Sequence, residues 1–87
     1  MVLAVLEGDD SILCQITSRF RNDNYSIEIS NSDFTVGSLN QLSNIRPNRI
    51  FTADSSSVLK IVGHLKKEKQ VQTVNKIIEL INVNPIL

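Results

Sequence analysis

Tryptophan is missing from this chain, and cysteine, methionine, tyrosine and histidine occur once each. A single cysteine closes no internal disulfide, which excludes a disulfide-stapled scaffold. Cys14 lies in an apolar–polar alternation and reads as a small buried hydrophobe. The one histidine, His64, is far from it in sequence and reads as structural or exposed, so a Cys/His nucleophile pair finds no support. One histidine and one cysteine without ligand spacing also make no zinc site, and no metal or cofactor is expected. Net charge is absent as well: nine Lys and Arg balance nine Asp and Glu. Bulk charge therefore gives no pull toward nucleic acid or membrane. Such a role would have to rest on local clusters, of which Arg19 with Arg21 and Arg46 with Arg49 are the clearest. No charged leader precedes a long apolar run, so no signal peptide or membrane span is read, and a soluble, cytoplasmic protein is expected.

What is present suits one small globular domain over residues 1–87, with 41% hydrophobic and 21% charged residues. Val2 to Leu6 is a continuous apolar run of strand length. Glu7-Gly8-Asp9-Asp10 supplies turn chemistry. Ser11 to Arg19 follows as a strand with Ile12, Cys14 and Ile16 on one face and Leu13, Gln15 and Thr17 on the other. Residues 2 to 18 thus read as a hairpin. Tyr25 to Ile29 alternates again. Phe34 to Leu42, broken at Gly37-Ser38, reads as a loop leading into a strand over Asn40 to Arg46. Pro47 interrupts because it has no N–H for a ladder. A further strand over Arg49 to Ala53 follows, with Ile50 inward, and then a last one over Val58 to Val62.

From Lys66 to Asn82 the period changes to three or four. Val71, Val74, Ile78 and Ile81 form a stripe that Ile77 and Leu80 broaden, which predicts an amphipathic helix. The lysines at its start read as a solvated face. Short strands at close spacing followed by one helix argue for a mainly β fold, a compact, partly closed antiparallel barrel with the helix packed on it or covering one end.

The stretch Ser43 to Asp54 carries the most chemistry. It brings Arg46, Pro47, Asn48 and Arg49 together and runs directly into Ile50-Phe51. Cations held rigidly at the surface by a strand suit phosphate chemistry, since a fixed guanidinium need not reorganise as negative charge develops. The competing reading is an ordinary turn whose arginines are solvated or capped by carboxylates.

Taken in order, these pieces resemble the PemK/MazF family of toxin–antitoxin systems. The specific parts are Gln15-Ile16-Thr17-Ser18 and Ile45-Arg46-Pro47-Asn48-Arg49-Ile50-Phe51-Thr52. They are flanked by Val2 to Leu6, Asp33-Phe34 with Gly37-Ser38-Leu39, Val62-Gly63 and the terminal helix. The resemblance implies an SH3-like small antiparallel barrel (PemK/MazF/CcdB-like) that forms a homodimer. It implies a cleft for single-stranded RNA or a cognate antitoxin, and operator DNA reached only through the antitoxin complex. The implied activity is metal-independent, sequence-selective cleavage of single-stranded RNA, an mRNA interferase. Arg46, Thr17 and Ser18 fall where the family's phosphate-directed residues lie; Gln15, Asn48, Arg49 and Arg19 would contact substrate.

Two departures accompany the resemblance. Asn48 stands where some members carry an aspartate that acts as base, and an amide cannot accept a proton at neutral pH. Family members also have a further N-terminal segment with a first strand and an Arg-Pro pair. On that comparison the chain reads as N-terminally truncated, with cleavage impaired. The alternative is a non-catalytic dimerising barrel that binds antitoxin or nucleic acid without cutting it. A gyrase-poisoning relative is a weaker third reading, since its helix tip is not recognisable in Val83 to Leu87.

Overall fold

The structure, a computed structural model, describes residues 1–19, 22–57 and 62–83. Strands β1 (Val2–Val5) and β2 (Asp10–Thr17) form the expected antiparallel hairpin, in register at Val2 with Leu13 and Val5 with Ser11. Gly8, at φ +76°, supplies the left-handed residue of the turn, and the Leu6 N–H closes it on the Asp10 carbonyl at 2.9 Å. Strand β3 (Ile27–Ile29) comes from the Tyr25–Ile29 alternation.

Strand β4 (Phe34–Gly37) falls in a stretch expected to be loop. Strand β5 (Ser43–Asp54) runs unbroken through Pro47 where two separate strands were expected. The pairing with β2 explains how. Asp10 to Cys14 pair with Asp54 to Ile50, and Gln15 to Thr17 then pair with Arg46 to Asn44. Pro47, Asn48 and Arg49 are left over on β5 as a bulge, where a residue without an N–H disturbs no ladder. Ile50, expected inward, is 44% exposed beside this bulge, and Phe51 is 50% exposed.

The main sheet has the order β1-β2-β5-β3 and is antiparallel throughout. Strand β6 (Gly63–Leu65) pairs with β4 as a separate two-stranded arm. The strand expected over Val58 to Val62 falls mostly outside the described residues. The arm needs glycine where its strands touch. A Cβ on Gly37 (φ +75°) would collide with the Val62 carbonyl, and one on Gly63 with the Val36 carbonyl. The result is a mainly β, curled antiparallel half-barrel with a C-terminal helix.

The core is small. Cys14, Ile27, Ile29 and Ile45 are buried, with Ile16, Phe34, Leu39 and Leu65 packed around them. Ile27 pairs with Ile45, and Ile45 with Ile16, so one face of the sheet is an isoleucine ladder. Burial pushes the Cys14 thiol pKa up, and its Sγ donates to the Arg46 carbonyl at 3.0 Å.

Helix α1 (Lys67–Val83) begins where the periodicity changes. Its start is fixed by the Lys66 N–H, which donates to the Asp33 carbonyl at 2.7 Å. Lys69, expected on a solvated face, instead reaches across to the sheet: its Nζ donates to the Glu28 carbonyl at 3.1 Å and lies 3.9 Å from Asp33 Oδ1. Thr73 is fully buried, its hydroxyl donating back to the Lys69 carbonyl at 2.7 Å. Among the described residues no helix is long and apolar enough to cross a membrane.

Candidate functional site

Side chains directly opposite one another across an antiparallel pair share a face. Gln15 opposite Arg46, Thr17 opposite Asn44 and Asn44 opposite Glu28 therefore lie on one face of the sheet, the reverse of the isoleucine ladder. This polar ladder is the richest concentration of functional groups in the regular part of the sheet.

Arg46 is its centre. The sequence suggests a guanidinium at the surface, but the side chain is only 9% exposed. Nη1 donates to Gln15 Oε1 at 3.1 Å. Nε is buried and has no hydrogen-bond partner among the described residues. No carboxylate lies within ion-pair distance of Arg46 among them either. A desolvated cation held by a neutral amide oxygen, with a donor unspent, is expensive to maintain. What the arrangement offers chemically is a fixed positive charge on the sheet beside the exposed Gln15.

Asp23 belongs to the same neighbourhood, and the sequence reading does not single it out. Its Oδ1 accepts from the Ser26 N–H at 2.7 Å and the Tyr25 N–H at 3.2 Å, and its Oδ2 accepts from the Ser26 hydroxyl at 3.0 Å. Desolvation pulls its pKa up, but these bonds and the Arg46 charge outweigh it and leave the carboxyl below its ordinary value. A signal exists: Asn22-Asp23-Asn24 followed by Ser26 is the pattern of an aspartate-capped turn. What sequence alone does not give is that this turn lies near Arg46.

The other candidates are distributed around this pair. Thr17, half-buried on the ladder, accepts from the Arg19 N–H at 3.2 Å, and Asn44 Nδ2 donates to the Arg19 carbonyl at 3.3 Å. The strand end is thereby tied to the ladder. Ser18 and Arg19 lie just past the end of β2 and are exposed, as is Gln15 on the strand itself. Asn48 and Arg49 are exposed on the bulge. Arg46 and Gln15 are thus in direct contact, Thr17 and Arg19 form a second linked pair, and Asn48 and Arg49 stand apart on a loop-like projection. A groove of about 790 Å³ opens beside that bulge, between Pro47, Asn48 and Ile50 on one wall and Ile77, Leu80 and Ile81 of α1 on the other. Among the described residues no cluster of three or more His, Cys, Asp or Glu side chains could hold a metal ion.

The fold and site define a small antiparallel β domain with a C-terminal helix and a polar sheet face built around a buried arginine. No protein-family model matches the chain, and no curated protein sequence matches it.

Proposed function

We propose that this protein is a toxin of the PemK/MazF type, an SH3-like barrel that cleaves single-stranded RNA. The observation that carries the reading is the Arg46 guanidinium, buried, unpaired by any carboxylate among the described residues and holding an unspent Nε donor. A phosphodiester is the anion that such a site suits. In the reaction, the ribose 2′-oxygen attacks the adjacent phosphorus and the bond to the 5′-oxygen breaks. The products are a 2′,3′-cyclic phosphate and a free 5′-hydroxyl. A base takes the 2′-proton and an acid gives one to the departing oxygen, so no external reactant is consumed. Arg46 would neutralise the charge that builds on the phosphoryl oxygens, with hydrogen bonds from the Thr17 and Ser18 hydroxyls. Gln15, Arg19, Asn48 and Arg49 would hold the flanking RNA. The partners in this reading are RNA, a cognate antitoxin and a second copy of the chain, in the cytoplasm; operator DNA is reached only through the antitoxin complex.

A second reading is favoured by the same burial. Arg46 is only 9% exposed, and Asn48 offers an amide where proton transfer needs a base. On this reading the barrel binds antitoxin or RNA without cutting it. One experiment separates the two. End-labelled single-stranded RNA of mixed sequence is incubated with the chain in EDTA, and products are analysed for cyclic phosphate termini. Site-selective products that fall about 100-fold or more in rate with Arg46→Ala support the nuclease. Cleavage indifferent to Arg46→Ala overturns the role given to Arg46. Binding without products establishes the second reading.

A further inference from the structure

Cyclising cleavage of RNA needs a group that takes the 2′-proton, and Asn48, an amide, cannot. The sheet register brings a carboxylate to the polar ladder instead. Glu28 pairs with Asn44, and Asn44 with Thr17, in the row next to the one that holds Arg46 and Gln15. Glu28 and Arg46 are therefore diagonal neighbours on one face, a separation of about 7–8 Å along the backbone. They are not joined to each other. The Glu28 carboxylate makes no hydrogen bond and no ion pair among the described residues, and Arg46 spends Nη1 on Gln15. Asp23 also lies near Arg46, but both of its carboxylate oxygens are engaged by Ser26 and Tyr25.

Glu28 is held on a fixed support. Ile27 and Ile29 on either side of it are buried, so β3 cannot slip by one residue without exposing both. The Glu28 carbonyl accepts from Lys69 Nζ at 3.1 Å, which ties this point of the strand to α1. The residue itself is exposed. A charge on edge strand β3 also discourages a further strand from pairing there, a role independent of proton transfer.

We propose that Glu28 is the general base of the RNA cleavage described under Proposed function, a role that rests on that reading. A phosphodiester with its phosphoryl oxygens toward Arg46 spans the diagonal, with the adjoining ribose toward β3. The Glu28 carboxylate takes the 2′-proton as the 2′-oxygen bonds to phosphorus. The bond from phosphorus to the 5′-oxygen breaks, and that oxygen takes a proton from water. The Glu28 carboxyl then gives its proton to the hydroxide so formed, and nothing is consumed.

Three measurements on the 87-residue chain test this role. The first is the rate of cleavage of end-labelled single-stranded RNA in EDTA. The second is affinity for the same RNA with a 2′-deoxynucleotide at the cleavage site, which binds but cannot react. The third is cleavage of RNA in which the 5′-oxygen at that site is replaced by sulfur, a leaving group that needs no acid. Glu28→Gln should slow cleavage of both the ordinary and the sulfur-bridged RNA by about 100-fold or more. Its affinity for the 2′-deoxy RNA should not weaken. If circular dichroism shows that the amide variant has lost its fold, Glu28→Asp carries the test, with its carboxylate set back by one methylene: slower cleavage at unchanged affinity. Cleavage equal to the parent's overturns the proposal and leaves the nuclease reading standing. So does a loss that the sulfur-bridged RNA restores, which assigns Glu28 to the leaving group, or a loss matched by weaker binding. A parent chain that binds RNA and yields no product overturns the nuclease reading itself, and this role falls with it.

Discussion

Arg46 donates through Nη1 to Gln15 Oε1 at 3.1 Å, directly across the β2–β5 ladder, while its Nε stays buried and unbonded among the described residues. The pair is asymmetric, because Gln15 is exposed and Arg46 is not. Removing the arginine leaves an amide that water can satisfy. Removing the glutamine leaves a buried cation with less than it had.

That asymmetry predicts an inverse relation between stability and function at position 46. Arg46→Met keeps much of the side-chain volume and removes the desolvated charge. We expect it to be neutral or to stabilise the fold by about 1 kcal/mol, by analogy with buried charges replaced by apolar groups. In a domain of this size that is a rise in Tm of roughly 4–8 °C. RNA cleavage or binding should fall sharply in the same variant. Urea denaturation and an RNA assay on one preparation check both. A loss of more than about 2 kcal/mol would assign Arg46 a structural role instead.

Replacing the neutral acceptor by a charged one should act in the same direction by another route. Gln15→Glu places a carboxylate beside the guanidinium and turns a cation–amide bond into an ion pair, which offsets part of the cost of the buried charge. The folded-state pKa of the new carboxyl at position 15 would drop below its unfolded value of about 4.3. The added stability is therefore full above that value and is lost as pH falls through the folded pKa. Denaturation at pH 7 should show a gain on the order of 1 kcal/mol over the parent chain that vanishes near pH 3. Affinity for RNA should weaken at pH 7, because the site then carries its own anion.

Much of the framework is legible in the sequence. The Val2–Thr17 hairpin, the turn before Ile27–Ile29 and the helix from Lys67 follow from period and turn residues alone. The differences share one cause, pairing with a distant partner. Local rules treat Pro47 as a strand break, whereas three residues bulge out and the ladder resumes on the other side. Phe34–Gly37 has no clean alternation of its own and becomes a strand only because Gly63–Leu65 is there to pair with it. At the site, the register that puts Gln15 opposite Arg46 depends on that same bulge. Neither the burial of Arg46 nor the nearness of Asp23 can be read from spacing. The helix stripe follows from periodicity, but periodicity does not say which of two apolar faces meets the sheet.

Two glycines with nearly the same backbone angle should respond differently to alanine. Gly8 has φ +76°, and nothing lies within 4 Å of the point a Cβ would occupy, so Gly8→Ala incurs only the left-handed penalty, about 1 kcal/mol. Gly37 has φ +75° and would drive its Cβ into the Val62 carbonyl. Gly37→Ala should therefore cost about 3 kcal/mol or open the β4–β6 arm outright. Chemical denaturation gives the two costs. Amide exchange at Val36 and His64 distinguishes local opening of the arm from global loss. Equal costs would show that the arm gives way around the added methyl.

Acid should weaken the fold through two turn aspartates. Asp54 accepts from the Ser56 N–H at 2.9 Å and from nearby serine hydroxyls, which hold its carboxyl below the ordinary value. At Asp23 desolvation pulls upward, but the Ser26 and Tyr25 bonds and the Arg46 charge together win and leave the carboxyl lowered. A carboxyl with a folded pKa below the unfolded value of about 3.9 binds fewer protons folded than unfolded between the two values. Its contribution is complete above the unfolded pKa and disappears as pH falls through the folded one. The parent chain should therefore lose stability progressively below about pH 4. Asp23→Asn and Asp54→Asn keep an acceptor oxygen for the turn but cannot titrate. Each should flatten the acid limb of a stability–pH curve measured by denaturant titration, and the double variant should flatten it further. The two also part company at higher pH. Asp23→Asn takes away a charge felt by Arg46, so anion binding at pH 7 should strengthen in that variant and stay unchanged in Asp54→Asn. Equal anion affinity in both variants would remove Asp23 from the electrostatics of the site.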